Sequence, residues 1–461
     1  MYIFTYPREE FEKKGINKAD IKKLIDKHKS IVNDKYKVCE GYYNGIHKVL
    51  GRTKQNRKAP NNKIVCNHAR YITDIATGYF MSNPISYQID EGDLGKLTDV
   101  FDIADVDSAD IENAMNMSKF GLSYEFVYIK EATNEIAIKV ISPENCFIVR
   151  DDSIEENELF AVYYYIKKND VGNKVKYMAS VFTADRRYDM ELEQGGNNDR
   201  DIAEAVHYFE GIPIIEYLNN IDGIGDYEQQ ISLIDAYNIL TSDRLNDKEQ
   251  FLNALLVIKG AMLTDGEENT SEAIKGLKEL GLLEIPEGAS VEYLTKTFDE
   301  NSVEVLRKAI EEDIHKFSYV PCLTDESFAG NTSGVAMEYK LLGLEMITKI
   351  KTKQYRKGLK KRIRLFCNFL GKKGTSIDYE SVVPVFARGL PKNTTELAQM
   401  VATLNGMVSQ ETLLNQLPFV EDTEGEIEAL NDEKDESFKR QQEFMASKDN
   451  EPLGGEDIDE E

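Results

Sequence analysis

The sequence predicts an α+β chain, helical towards both ends and β-rich in the middle, and three observations carry the prediction. Apolar residues recur at helical spacing in CNHARYITDIATGYFMSN and again across 299–320 and 334–370. Alternation of period two dominates 124–218. A strand–helix–strand pattern over 255–298 sits between two helical stretches.

Residues 17–57 read as polar helices, with Ile21, Leu24, Ile25 and Val32 at near-helical steps. The next helix carries Ala69, Ile72, Ile75, Ala76 and Phe80 on one side and stops before Pro84. ISYQID alternates as a short strand, and Asp110 to Phe120 suits a further helix. YEFVYIK, EIAIKVIS, CFIVRD, LFAVYYYIKK, KVKYMASVFT and RRYDMELEQ then follow as β-type runs separated by Asn, Asp and Gly turns. They predict one antiparallel meander that closes with GIPIIEYLNN.

Helical pattern resumes in DYEQQISLIDAYNILTSDRLNDKEQFLNAL. LLVIKGAML and ASVEYLTK are expected strands with the helix SEAIKGLKELG between them. Asn301 and Glu304 have the spacing of a capping box for the helix that Pro321 ends. Beyond TDESFAGNTSG, a stripe of Val335, Tyr339, Leu342, Met346, Ile350, Leu359, Ile363, Phe366 and Leu370 predicts a long amphipathic helix, with Gly343 and Gly358 as expected bends. NTTELAQMVATLNG and SQETLLNQL are shorter helices, and Asn393 with Glu396 again suits a capping box.

With 461 residues the chain has room for about three domains, and 41% hydrophobic residues suffice for their cores. The N-terminus lacks the basic and apolar regions of a secretory signal. The most apolar run, FLNALLVIKGAML, is interrupted by Lys259 and Gly260, so no membrane span is expected. Five scattered cysteines point to free thiols in a reducing compartment. Cys66 and His68 lack a second ligand pair, so neither a metal nor a cofactor is expected.

Catalytic patterns are missing as well. GDLGKLT and LGKKGTS fail the phosphate-loop spacing, HExxH and GxSxG do not occur, and the five histidines are isolated in sequence. Acid pairs such as Asp151 and Asp152 are expected by chance among 82 acids. The sequence reads as a non-enzyme.

Charge is unevenly spread. The formal net charge is -26, and residues 421–461, with 17 acids against 4 bases, hold 13 of those negative charges. GGEDIDEE reads as a disordered acidic end. Against this background ITKIKTKQYRKGLKKRIR, residues 347–364, holds nine Lys or Arg and no acid. Lys349, Lys353, Arg356, Lys357, Lys360 and Arg364 recur at three- and four-residue steps and so share a helix face. Such a face is a solvated surface, half of a subunit contact, or a site of phosphate contact.

Five stretches in order resemble the portal proteins of tailed double-stranded DNA bacteriophages, of the siphovirus type from Gram-positive hosts: KIVCNHARYITDIATGYFMSNPISY, GIPIIEYLNN, SLIDAYNILTSDRLND, GNTSGVAMEYKLLGLE and VSQETLLNQLPFVEDTEGEIEAL. The resemblance implies a portal-type protomer that assembles as a dodecameric ring around a DNA channel. Its wing would comprise 1–225 and the long helix 334–372, its stem helices 226–254 and 299–320, its clip 255–298, its tunnel loop 321–333 and its crown 373–435. An acidic tail, 436–461, would follow.

On the same resemblance Asp325, Glu326, Ser327, Asn331 and Thr332 would face the DNA, and the six bases would serve subunit pairing or phosphate contact. Implied partners are the terminase large subunit, head-tail connector proteins, the major capsid and scaffolding proteins, and the double-stranded DNA that passes through. The implied location is the portal vertex of the virion, with assembly in the host cytoplasm. Two other classes fit the composition: a capsid-associated adaptor or scaffold without DNA contact, and a metal-dependent nuclease built from the plentiful acids.

Overall fold

The protein is described by a computed structural model covering 3–55, 59–89, 93–167, 176–193, 199–252, 255–259, 288, 290–294, 300–323, 334–388, 394–414 and scattered positions from 417 to 434. The proposed tunnel-loop residues, the helix expected at 271–281, Asn393 and the acidic tail lie outside the described residues. The chain divides into two compact units, one of 1–330 with 338–389 and the other of 331–337 with 390–461.

In the first unit, strand β1 (Phe4–Thr5) precedes helices α1 (Arg8–Lys14), α2 (Lys18–Ile31) and α3 (Lys37–Tyr43). The last two join through one π-helical turn at Val32–Tyr36. Asn17 caps α2 by accepting from the Ala19 N–H at 3.0 Å, and Ile21, Ile25, His28 and Ile31 form its buried side. Helix α4 (His68–Phe80) starts at Asn67, whose side chain accepts from the Arg70 N–H at 3.1 Å. Strand β2 (Ser86–Gln88) follows, as expected. Helices α5 (Gly95–Ala104) and α6 (Val106–Phe120) are separated at Asp105, a non-glycine at φ 53. The sequence reading had no counterpart of α1 or α5.

The β region is a correction to the single meander. Strands β3 (Leu122–Ile129), β4 (Ile136–Ile141) and β10 (Ile214–Leu218) form a separate sheet in the order β10-β3-β4. Strands β5 (Cys146–Arg150), β6 (Glu158–Lys167), β7 (Lys176–Phe182), β8 (Arg186–Glu193) and β9 (Arg200–Val206) form a second sheet with β1, which pairs parallel to β5. The chain leaves the small sheet after β4, winds the larger one, and returns so that its last strand pairs with the first, Tyr217 opposite Ser123. Strand β9 is exposed throughout, which is why its polar sequence carried no strand signal.

Three layers result. Val127, Ile136, Ile215 and Tyr217 on one face of the small sheet pack with Leu97 and Phe101 of α5, Met117 of α6, and a long helix α9 (Gly334–Lys372) through Leu359, Ile363 and Phe366. Leu122, Tyr124 and Ile214 on the other face pack on Cys146, Ile148, Ala161 and Phe182 of the larger sheet.

Helices α7 (Ile231–Leu252) and α8 (Glu300–Ser318) pair antiparallel: Arg244 bonds Glu304 at 2.6 Å, Lys248 meets Glu300 at 3.1 Å, and Tyr237 donates towards Glu311 at 3.5 Å. Strands β11 (Leu255–Lys259) and β12 (Ser290–Leu294), from the insert between them, pair antiparallel. The expected capping box at Asn301 does not form. The helix is already under way at Glu300, and Glu304 gives its carboxylate to Arg244 and Arg307. The helix ends at Ser318, with Tyr319 left-handed at φ 59 two residues before Pro321.

Strand β13 (Val383–Val385) pairs with β2. The second unit contains helices α10 (Thr394–Leu404) and α11 (Gln410–Leu414), the latter capped by Ser409, which accepts from the Thr412 N–H at 3.3 Å.

His28 makes part of this fold acid-sensitive. It is buried against Phe4 and Phe147 with Nδ1 2.8 Å from the Tyr164 hydroxyl, and burial pushes its pKa down to about 4. Between about 4 and the unfolded value near 6.5 the unfolded chain binds the extra proton, so stability rises with pH across that window and falls on acidification. Burial, reinforced by His315, lowers His68 to about 4 too, in the same direction. We expect the unfolding free energy, followed by urea titration from pH 7 to pH 4.5, to fall by about 2–3 kcal/mol less in His28→Phe than in the wild type. Parallel pH profiles would contradict this account of His28.

Candidate functional site

The nine bases of 347–364 all lie on α9, and the helix sorts them into two groups. Lys349, Lys353, Arg356, Lys357 and Lys360 are exposed and Arg364 is half-buried. These are the six that helical spacing placed on one face. Lys351, Lys361 and Arg362 turn inward, each onto acids distant in sequence: Lys351 donates to Asp226, Lys361 to Glu158 and the Ile214 carbonyl, and Arg362 to Asp110 and Glu125.

The Arg362 cluster is the most deeply buried polar group on α9. Its guanidinium reaches Glu125 at 2.8 and 2.5 Å and Asp110 at 2.6 Å, while Tyr355 donates to Asp110 at 2.5 Å and Asn113 to Glu125 at 2.8 Å. Tyr217 stacks on Tyr355, with ring centroids 4.4 Å apart. Burial alone would lower the guanidinium pKa, yet the two carboxylates carry it above its ordinary value. For Lys361, burial outweighs Glu158 and lowers the pKa.

The apolar stripe read from the sequence is half wrong. Leu359, Ile363, Phe366 and Leu370 are buried, but Tyr339, Leu342, Met346 and Ile350 are 74, 50, 59 and 47% exposed. In that stretch the buried side is Leu341, Leu344, Thr348, Lys351 and Thr352. The threonine hydroxyls bond carbonyls one turn back, Thr348 to Leu344 at 2.7 Å and Thr352 to Thr348 at 2.8 Å, so polar residues pass as core. The helix runs unbroken past both glycines. Gly358 instead permits close approach: a Cβ there would stand 2.4 Å from the Tyr217 ring.

Beside the exposed stripe lies a cleft of about 260 Å³ lined by Asn219, Asp226, Gln230, Phe317, Tyr319 and Ile350, among others. Its lining includes the Lys351–Asp226 pair. Among the described residues, no group of three or more His, Cys, Asp or Glu is placed to hold a metal ion. No described helix is long and apolar enough to cross a membrane.

The family described as "Phage portal protein, SPP1 Gp6-like" matches residues 21–440. The chain belongs to this family of phage portal proteins. The portal protein of Bacillus phage SPP1 is 26% identical over 455 residues, covering 91% of this chain and 87% of that one. That of Clostridium phage phiCD119 is 24% identical over 414 residues, covering 84% and 89%. Among solved structures, a chain in the neck of an empty GTA particle is 11% identical with a TM-score of 0.45, covering 76% of this chain and 90% of that chain. Another, in the virion of a native gene transfer agent particle, is 10% identical at the same TM-score, covering 76% and 89%.

As a portal-family protein, the chain is a structural component of the phage particle that serves the capsid vertex and DNA packaging. The family match extends across the whole of α9 and both of the paired helices α7 and α8. No local signal distinguished Asp110, Glu125, Asp226 and Glu158 from the other acids of the sequence. Their roles follow from packing alone.

Proposed function

We propose that the chain forms a dodecameric ring at one capsid vertex, through which double-stranded DNA is packaged and later ejected. The observation that carries this reading is the family match over 21–440. Helices α7 and α8, within 226–254 and 299–320, form the stem, and 255–298 forms the clip that docks the terminase large subunit and afterwards the head-tail connector proteins. The wing comprises 1–225 and 334–372 and the crown 373–435, with capsid and scaffolding proteins around them, while 436–461 is an acidic tail dispensable for assembly. The chain itself carries out no catalysis, assembling in the host cytoplasm and remaining in the virion.

In this scheme 321–333 is the tunnel loop. Asp325 and Glu326 repel phosphates there, and Ser327, Asn331 and Thr332 make only neutral contacts, so that DNA slides. The exposed bases of α9 serve subunit pairing in preference to DNA. We expect purified protein to give rings with a central hole in negative-stain images and a matching multiple of the 52.5 kDa subunit by native mass measurement. A compact monomer under all assembly conditions would overturn the reading.

A further inference from the structure

The basic face of α9 has an acidic counterpart within the same chain. Asp99, Asp102, Asp105, Asp107 and Glu112 of the α5–α6 segment are exposed, and Ile103 and Ile111 beside them are 53 and 48% exposed. Among the described residues none of these acids has a basic partner within ion-pair distance, and Lys353, Arg356, Lys357 and Lys360 have no acidic one. Burial and the neighbouring Asp110, Asp102 and Asp105 together raise the pKa of Asp107, which Arg362 only partly offsets.

One copy of the chain cannot join the two faces. Its α6 and α9 meet through Asp110, Tyr355 and Arg362, and α5 meets α9 through Phe101 and Phe366, whose rings lie 5.0 Å apart. The exposed residues are those this contact leaves outside. A closed ring is built from heterologous contacts, in which two different patches of the same chain face one another across each joint.

We propose that the acidic α5–α6 face of one copy seats on the basic face of α9 in the next, with Ile103 and Ile111 covering the exposed Leu342, Met346 and Ile350. The occupant is a second copy rather than nucleic acid because the apolar half of the α9 face matches apolar residues on α5–α6, whereas a phosphate backbone would leave it uncovered. Charge sets the register and the apolar residues supply the buried centre. This inference rests on the ring reading.

The test reverses each face separately. One variant combines Lys353→Glu, Arg356→Glu and Lys357→Glu; the other combines Asp99→Lys, Asp102→Lys and Asp107→Lys, leaving Asp105 untouched because its φ is 53. Each alone should remain monomeric, its half-assembly concentration raised by about tenfold or more. An equimolar mixture should form rings again, because every joint then brings opposite charges together.

The milder Lys353→Gln, Arg356→Gln and Lys357→Gln set should assemble with reduced salt dependence, and far-UV circular dichroism of each monomer checks folding. The proposal is overturned if the reversed variants assemble like wild type, if the mixture stays monomeric, or if the α9 variant forms normal rings whose only defect is in holding DNA. Wild-type protein that forms no rings would instead remove the ring reading itself.

Discussion

Arg362→Met should lower the unfolding free energy by about 3–5 kcal/mol, among the largest single-residue losses available in this fold. The guanidinium is wholly buried and its removal strands two carboxylates, Asp110 and Glu125, whose other donors are neutral: Tyr355 for the first, and Asn113 and Tyr217 for the second. The expense lies in the acids left behind more than in the lost attraction, and this gives a further reading of the same experiment. Replacing all three charges together, as Arg362→Met with Asp110→Asn and Glu125→Gln, should recover much of the loss. Equilibrium denaturation checks each outcome, and an Arg362→Met variant within 1 kcal/mol of wild type would show the cluster to be dispensable.

Gly121→Ala should cost about 3 kcal/mol or more, through backbone strain and overlap together. Gly121 ends α6 at φ 87, and a Cβ placed there would stand 2.1 Å from the Gly223 carbonyl oxygen. The obstacle is main chain, so no rotamer change relieves it. The loop it would strike is held from several sides: Asn219 N–H donates to the Gly121 carbonyl at 2.9 Å, Asp226 N–H to the Ser118 carbonyl at 2.8 Å, and Lys35 to the Gly223 carbonyl at 2.7 Å. Gly78→Ala in α4, with open space around it and a helical backbone, is the matched control and should be neutral or stabilising by up to about 1 kcal/mol. Thermal melts of the two variants side by side make the comparison, and similar shifts would argue against the Gly121–Gly223 contact.

Much of this architecture was legible locally. The helix read in CNHARYITDIATGYFMSN forms as α4, though it ends at Phe80, four residues short of Pro84, and the six β-type runs of the centre are all strands. Local signals gave out where the decisive partner was remote. The pairing of β10 with β3 joins segments about ninety residues apart, so alternation could announce the strands but not their division into two sheets. The α9 stripe failed for a related reason. Lys351, Thr348 and Thr352 look like surface residues until Asp226 and the preceding helical carbonyls are brought against them, and Leu342 or Met346 looks like core until the other side proves to be the packed one. The five exposed bases were recoverable from spacing because exposed charge needs no partner, whereas Arg364, placed on the same face, is half-buried. The three inward ones were not, since their acids lie 125 to 252 residues away in the chain.

The fastening of α9 has a mechanical consequence. From 338 to 372 the helix extends about 50 Å at 1.5 Å per residue. Along that length it is fastened at Glu345 by Tyr79 and Arg388, at Lys351 by Asp226, at Lys361 by Glu158 and at Arg362 by Asp110 and Glu125. Gly343 and Gly358 are occupied by neighbouring rings, Tyr319 and Tyr217, and so are poor places for a hinge. The helix therefore behaves as a strut: a force applied at one end is delivered to both sheets instead of being absorbed by bending, and any change in the subunit's shape has to be taken up beyond its ends.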